Sequence, residues 1–317
     1  MSTTKKVSSV FKPNADTGFG VSPDAQGGRF INKDGTFNVV KTGIPLHERF
    51  SPYYKLLMMP AWEFTLVLLS FFFVVNVLFT VFYLLMNPGE FTGVIADSNT
   101  DRAFELFFFS AQTFTTVGYG RINPIGHLAG FIASVEALAG LSSFALITGV
   151  LYGRFSRPRA YLKFSETALV APYQDKTALM FRFVSYKENH TLTDVEVKVT
   201  LGLTEHDGKA VFKFFQLPLE RSRVDSLSMN WTVVHPIDEE SPLFGFNSDD
   251  LKSSDAEVYV LVRGFDDVFS NTVLQRTSYR FNEIVFNAKF ERMYHESEDD
   301  TTTIVEIDKL NNFKMLS

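Results

Sequence analysis

Apolar residues are spread unevenly along this chain. Phe64 to Met86 is a run of 23 residues with no charge, FTLVLLSFFFVVNVLFTVFYLLM. As a helix it would be about 34 Å long, enough to cross a hydrocarbon core of about 30 Å. It starts too far from the N-terminus to be a secretory signal, and no small-residue cleavage site follows it. A second run, Leu128 to Gly153, carries Glu136 as its only charge. Its small residues Gly130, Ala133, Ala137, Gly140 and Gly149 suit close helix packing within a membrane. Both runs predict membrane spans.

After Pro158 the period changes from helical to twofold. Val195, Val197, Val199, Leu201 and Leu203 alternate with Glu196, Lys198, Thr200, Gly202 and Thr204, as a half-buried strand requires. His206-Asp207-Gly208 predicts a turn, and Ala210 to Leu217 the returning strand. Glu257 to Arg263 and Ser278 to Phe290 predict further strands. The expected fold is two transmembrane helices followed by an antiparallel, immunoglobulin-like β-sandwich of roughly 130 residues. Met1 to Gly28 and His295 to Ser317 are polar and expected to be mobile. The chain then divides into an N-terminal segment (1–46), a surface helix with the membrane domain (47–157), the sandwich (158–295) and a flexible tail (296–317).

Charge fixes the orientation. Lys41, Arg49 and Lys55 precede the first span, and Arg154, Arg157, Arg159 and Lys163 follow the second; between the spans stand only Arg102 and Arg121. The excess of positive charge on the cytoplasmic side places both termini in the cytoplasm of the cell (inner) membrane. Neither span carries regularly spaced arginines, so there is no voltage sensor. The 317 residues carry a net charge of −6 and no cysteine. That excludes disulfides and thiolate chemistry, and it disfavours nucleic acid as a partner. His190, His206, His235 and His295 are scattered, with no HExxH, GxSxG or phosphate-loop spacing, so no enzyme is expected. His235, beside Pro236, reads as a turn-holding residue. The N-x-T matches at Asn189 and Asn230 fall in the cytoplasmic part and should stay unglycosylated.

The chemistry lies between the spans. Arg102 to Phe114 is apolar and about three turns long, too short to span and suited to a re-entrant pore helix. It is followed by Thr116-Val117-Gly118-Tyr119-Gly120, the filter sequence of potassium channels. Dehydrating K⁺ demands carbonyl oxygens stacked along one axis, which needs alternating backbone handedness. Gly118 and Gly120 supply positive φ at little cost. Thr116 can add its hydroxyl, while Val117 and Tyr119 should point away and pack on the pore helix. K⁺ would bind from Thr116 to Tyr119. One loop cannot surround an ion, so a C4 homotetramer follows.

Several blocks outside the filter resemble the inwardly rectifying potassium channels, specifically their prokaryotic branch. These are Arg29 to Val39 (RFINKDGTFNV), Trp231 to Leu243 (WTVVHPIDEESPL) and Arg276 to Ile284 (RTSYRFNEI), in the family's order. The resemblance implies that Phe144, Thr148 and Tyr152, four residues apart on the second span, line the cavity and gate its cytoplasmic end. It also implies that Gly140 and Gly149 are hinges. Gly264, Phe265, Asp266, Asp267 and Ser270 would form a second constriction in the cytoplasmic domain, its carboxylates concentrating cations. His47 to Met59 would lie on the membrane surface, and Arg49, Lys55, Arg154, Arg157 and Arg159 would attract anionic lipid, or simply orient the chain.

Two departures stand out. Phe144 occupies the position where strongly rectifying relatives hold Mg²⁺ or polyamines with an acid, and Gln112 replaces a frequent filter glutamate. Glu136 either faces the cavity or is hydrogen-bonded against the outer wall of the filter, the second being favoured because an unpaired carboxylate is costly in a membrane. No cofactor is implied; K⁺ is the permeant ion, with Mg²⁺ or Ba²⁺ as blockers. The alternative is a non-conducting membrane receptor whose β-sandwich binds a cytoplasmic ligand.

Overall fold

A computed structural model describes residues 28–45, 48, 51–188, 190–207 and 209–316. Residues 1–27, His47, Arg49, Asn189 and Gly208, all given expectations above, lie outside the described residues. Contacts divide the chain into two units, Gly43–Arg157 and Met1–Thr42 together with Pro158–Ser317.

The first unit is helical: α1 (Pro52–Met58), α2 (Ala61–Leu84), α3 (Asn99–Phe114) and α4 (His127–Phe155). Ser51 caps α1, with Pro52 in its first turn, where a missing N–H costs nothing. Pro60 separates α1 from α2. Both α2 and α4 are long and apolar enough to cross a membrane. Trp62, Leu66, Leu69 and Phe73 of α2 stand exposed, the inverse of a water-soluble helix. Inside, Tyr83, Phe91, Leu106, Phe109, Ala129 and Ala133 form one buried cluster joining α2, α3 and α4. Phe91–Thr92 pairs antiparallel with Asn123–Pro124, closing the ends of the segment that holds α3.

The second unit is built on two five-stranded sheets around one core. The strands are β1 (Leu162–Phe164), β2 (Ala168–Tyr173), β3 (Lys176–Ser185), β4 (Leu192–Asp207), β5 (Lys209–Gln216), β6 (Arg223–Leu227), β7 (Trp231–Ile237), β8 (Glu257–Asp266), β9 (Asn271–Arg280) and β10 (Ile284–Phe286). One sheet runs β9-β8-β4-β5, with β6 also on β4; the other runs β10-β2-β3-β1, with β7 also on β3. The alternation read in β4 is the core face: Val195, Val197, Val199, Leu201 and Leu203 are buried together with Phe181 and Phe183 of β3 and Val258, Val260 and Val262 of β8. Each such side chain contributes about 1.5–3 kcal/mol by leaving water. Two details differ from expectation. β10 pairs with β2 in parallel, so the unit is not wholly antiparallel. Ser278 to Phe290 is also not one strand: β9 ends at Arg280, and a single 3₁₀ turn, Phe281–Glu283, precedes β10.

Among the described residues, the segment from Arg29 packs onto this unit. Ile31 is buried, Ser278 Oγ donates to its carbonyl at 2.6 Å, and Phe30 N–H donates to Glu257 at 3.2 Å. Arg29 pairs with Glu283, and Gly35 takes φ +84° with its Cα face against the Arg276 carbonyl, where a Cβ has no room. The blocks around Arg29 and Arg276 are therefore two sides of one packing contact.

The expected flexible tail is ordered. β11 (Ala288–Phe290) pairs with β14 (Phe313–Met315), and β12 (Tyr294–Glu296) with β13 (Thr303–Val305). Its anchor is Arg182 of β3, fully buried and, among the described residues, in no direct ion pair, with the Glu291 charge acting on it from a distance. The guanidinium donates to the carbonyls of Leu310 (2.9 Å), Glu291 (2.6 Å), Lys309 (2.5 Å) and Asn312 (3.1 Å) and lies over the Phe290 ring. Burial pulls its pKa down to about 10, still charged at neutral pH.

Candidate functional site

Helix α3 begins at the Ser98 cap, whose hydroxyl accepts from the Asp101 N–H at 3.1 Å, and ends at Phe114. The chain then folds back on the helix end. Thr116 N–H donates to Thr113 O (3.0 Å), and Val117 and Gly118 N–H both donate to Gln112 O (2.9 and 3.3 Å). Positive φ recurs at every second residue: Thr116 (+60°), Gly118 (+54°) and Gly120 (+80°). This is the alternation a carbonyl ladder needs. The glycines were legible in the sequence, but the left-handed threonine was not; it costs about 1–2 kcal/mol of backbone strain. Asn123 pins the outer end, donating to Gly120 O at 2.8 Å. Val117 and Tyr119 do not pack on α3 as expected. They are 54% and 79% exposed, so within one chain these side chains have little to cover them.

Four polar side chains fix α3 between the two spans. Ser110 of α3 lies 2.9 Å from Asn76 Oδ1 of α2 and in contact with Glu136 of α4, and the Tyr83 hydroxyl donates to Glu136 at 2.5 Å. Asn76, Ser110 and Glu136 are all buried. Glu136 is therefore bonded between the helices, to Ser110 of α3 and Tyr83 of α2, with no exposed surface. One turn further along α4, a Cβ on Gly140 would overlap the Phe114 carbonyl. Gly140 is thus a close-approach glycine, in an α4 that runs unbroken from His127 to Phe155; Gly149 meets nothing within 4 Å.

Gln112 supports the Thr116 to Gly120 loop through its backbone carbonyl. An acid–base pair is nevertheless present nearby: Arg121 meets Glu105 at 2.6 Å and donates to Gly93 O at 3.3 Å. Glu90 holds the start of α4, its carbonyl accepting from Ile125 (2.8 Å) and its carboxylate from Ala129 N–H (3.3 Å). Asn76, Ser110, Tyr83, Glu105 and Arg121 escaped the sequence reading. The available signal was a lone Asn and a lone Ser inside otherwise apolar stretches.

Below the loop lies a cavity of about 560 Å³ whose lining includes Thr115, Thr116, Gly140, Ser143, Phe144 and Ile147. Phe144 and Tyr152 are 70% and 73% exposed, and the Thr148 hydroxyl is spent on the Phe144 carbonyl at 2.8 Å.

The basic residues divide. Arg154 donates to Leu56 O (2.5 Å) and Met59 O (2.8 Å) and stacks on Phe64, so it fastens α1 to α2 and α4 and is not a free lipid ligand. Lys55, Arg157 and Arg159 are exposed, with Arg157 touching the Met58 sulfur. The expected constriction also differs in part. Gly264, Phe265 and Asp266 belong to β8, with a register shift between Arg263 and Phe265. Asp266 is wholly buried: it bonds the His190 ring at 3.0 Å and accepts from Val268 and Phe269 N–H at 2.9 and 3.2 Å. Burial alone would raise its pKa, but the His190 ring and those amides outweigh it and hold the carboxyl below its usual range. Asp266 therefore holds the turn, with both of its oxygens already hydrogen-bonded within the chain. Asp267, accepting from Thr193 Oγ1 at 3.2 Å, is exposed, and Ser270 takes φ +47°.

His235 is buried between Pro218 O (2.5 Å) and Ser241 Oγ (2.7 Å). Burial drives its pKa down against the opposing Pro218 bond. It braces a turn, as the sequence suggested. Among the described residues, no cluster of acids and histidines suits a metal ion.

Two span-length helices and a short polar-anchored helix feeding a loop of alternating handedness define an ion-channel subunit. The comparisons agree: residues 70–157 match the ion channel family, and 162–316 match the inward rectifier potassium channel C-terminal domain. The chain is 32% identical over 273 residues to the inward rectifier potassium channel Kirbac3.1 of Paramagnetospirillum magnetotacticum, covering 86% of this chain and 91% of that one. It is 28% identical to the ATP-sensitive inward rectifier potassium channel 12 of Gallus gallus (86% and 68% covered) and 25% identical to the inward rectifier potassium channel irk-1 of Caenorhabditis elegans (84% and 53%). The chain belongs to the inward rectifier potassium channel family. It is a membrane protein and not an enzyme.

Proposed function

We propose that this chain conducts K⁺ passively and selectively across the inner membrane as a C4 homotetramer, with α3 re-entrant and Thr116 to Gly120 as the filter. The observation that carries this reading is the alternation of positive φ at Thr116, Gly118 and Gly120, directly after a short helix held between two span-length helices. In four copies it would line one axis with carbonyls, and the exposed Val117 and Tyr119 side chains would find cover against neighbouring copies. The helix α3 ends above the cavity, where the partial negative charge of its C-terminus favours a cation.

Phe144 and Tyr152 are the gate in this reading, four rings closing the cavity by excluding water. Phe144 supplies no carboxylate, so strong block by Mg²⁺ or polyamines is not expected at that level. Both termini lie in the cytoplasm, with the immunoglobulin-like β unit there, and the exposed Lys55, Arg157 and Arg159 attract anionic lipid. The test is ⁸⁶Rb⁺ uptake into liposomes holding the purified protein. Uptake blocked by Ba²⁺ and competed by K⁺ but not Na⁺ is expected. No uptake in any lipid, even after Phe144→Ala and Tyr152→Ala in a folded tetramer, would favour the receptor alternative, which no comparison supports.

A further inference from the structure

The polar group behind the filter does not balance its hydrogens as drawn with an ionised glutamate. Ser110 has one hydroxyl proton and three acceptors facing it, the Asn76 carbonyl at 3.3 Å, Asn76 Oδ1 at 2.9 Å and, closer still, Glu136 Oε1. Asn76 cannot be turned to donate instead: its amide nitrogen already donates to the Phe72 carbonyl at 2.7 Å, and a flip would set two oxygens against each other there. Tyr83 has one proton as well, given to Glu136 Oε2. With a carboxylate at Glu136, one close oxygen–oxygen contact at Ser110 therefore holds no hydrogen. Among the described residues no lysine or arginine forms an ion pair with Glu136, and the side chain has no exposed surface even in a single chain. A neighbouring copy cannot reach it.

We propose that Glu136 carries a proton and acts as a neutral carboxylic acid that positions α3. The chain of donors then closes in one direction: Tyr83 O–H to Glu136 Oε2, Glu136 Oε1–H to Ser110 Oγ, and Ser110 O–H to Asn76 Oδ1. Every proton has one acceptor, and no unpaired charge is left in the membrane interior. The network ties α2, α3 and α4 together at one level, one turn of α4 from the contact between Gly140 and the Phe114 carbonyl. It thereby fixes the helix end from which Thr115 and Thr116 emerge. Glu136 is a positioning residue, since it touches no part of the ladder itself.

This inference rests on the filter reading of Thr116 to Gly120 for its consequence but not for its chemistry, so two measurements separate them. Infrared spectra of the full chain in lipid should show the carbonyl stretch of a protonated carboxylic acid, absent from Glu136→Gln. In Ser110→Ala that band should move to higher frequency, because the acid loses its acceptor. Glu136→Gln keeps an N–H for Ser110 and an oxygen for Tyr83, so it should retain the K⁺-over-Na⁺ preference of ⁸⁶Rb⁺ uptake. Glu136→Ala should lose that preference by about tenfold, as a broken buried network implies. A wild-type spectrum with no Glu136-dependent acid band, or a band unmoved by Ser110→Ala, overturns the protonated form. A Gln variant as unselective as the Ala variant overturns the positioning role. An acid band in a protein that conducts nothing would leave the chemistry standing and refute the filter reading.

Discussion

The two units of this chain solve opposite solvation problems. The β unit buries its apolar side chains and exposes its polar ones, with Val195 to Leu203 facing inward and Glu196 and Lys198 outward. The helical unit exposes Leu66, Leu69 and Phe73 and buries Asn76, Ser110 and Glu136. In the first, polar groups are admitted to the core where they tie distant chain segments together, as Arg182 does with the C-terminal strands. In the second, hydrocarbon surrounds the protein, so burial by itself gains little, and packing and hydrogen bonds between helices must supply specificity. Asn76, Ser110 and Glu136 therefore sit where helices meet.

The largest effect expected from breaking this contrast is in the Thr116 to Gly120 loop. Gly118→Ala places a side chain at φ +54°, a conformation that L residues adopt only with strain. It should abolish ⁸⁶Rb⁺ uptake, measured on a variant still assembled by size-exclusion chromatography. Next comes Gly140→Ala, whose methyl would collide with the Phe114 carbonyl. By forcing α3 and α4 apart it should reduce uptake by about tenfold or more, through the cost of overpacking.

In the β unit, Arg182→Ala strands four backbone carbonyls and should cost about 3 kcal/mol or more, read in chemical denaturation. Limited proteolysis should then cut first between Glu291 and Asn312. The smallest effect is one of pH. His235 has a folded pKa below its unfolded value, so its contribution to stability is present above about pH 6.5 and is lost as pH falls below that value through the lower folded pKa. The melting temperature should drop on acidification there, less steeply in His235→Gln.

Much of this is legible in the amino-acid sequence. The span-length helices, the positive φ of Gly118 and Gly120 and the inward face of β4 are local patterns, fixed by period, length and a handful of neighbouring residues. What stayed hidden depends on partners far away in sequence. The segment after His295 looks polar and loose, yet Arg182, 128 residues from Leu310, grips it. Asp266 reads as a free acid beside Asp267 until His190, 76 residues earlier, is placed against it. Arg154 reads as one of a basic cluster, and only the course of α1 shows its guanidinium committed to Leu56 and Met59. The positive φ of Thr116 was hidden for another reason: residue type argues against it, and the surrounding loop imposes it.

The most direct measurement is the reversal potential of the purified 317-residue chain in a planar bilayer, under opposed K⁺ and Na⁺ gradients, beside Gly118→Ala. A wild-type current reversing near the K⁺ equilibrium potential, blocked by Ba²⁺ and missing in the variant, is the expected result. A current that reverses near zero, or one unchanged by Gly118→Ala, would contradict a K⁺-selective pore lined by Thr116 to Gly120.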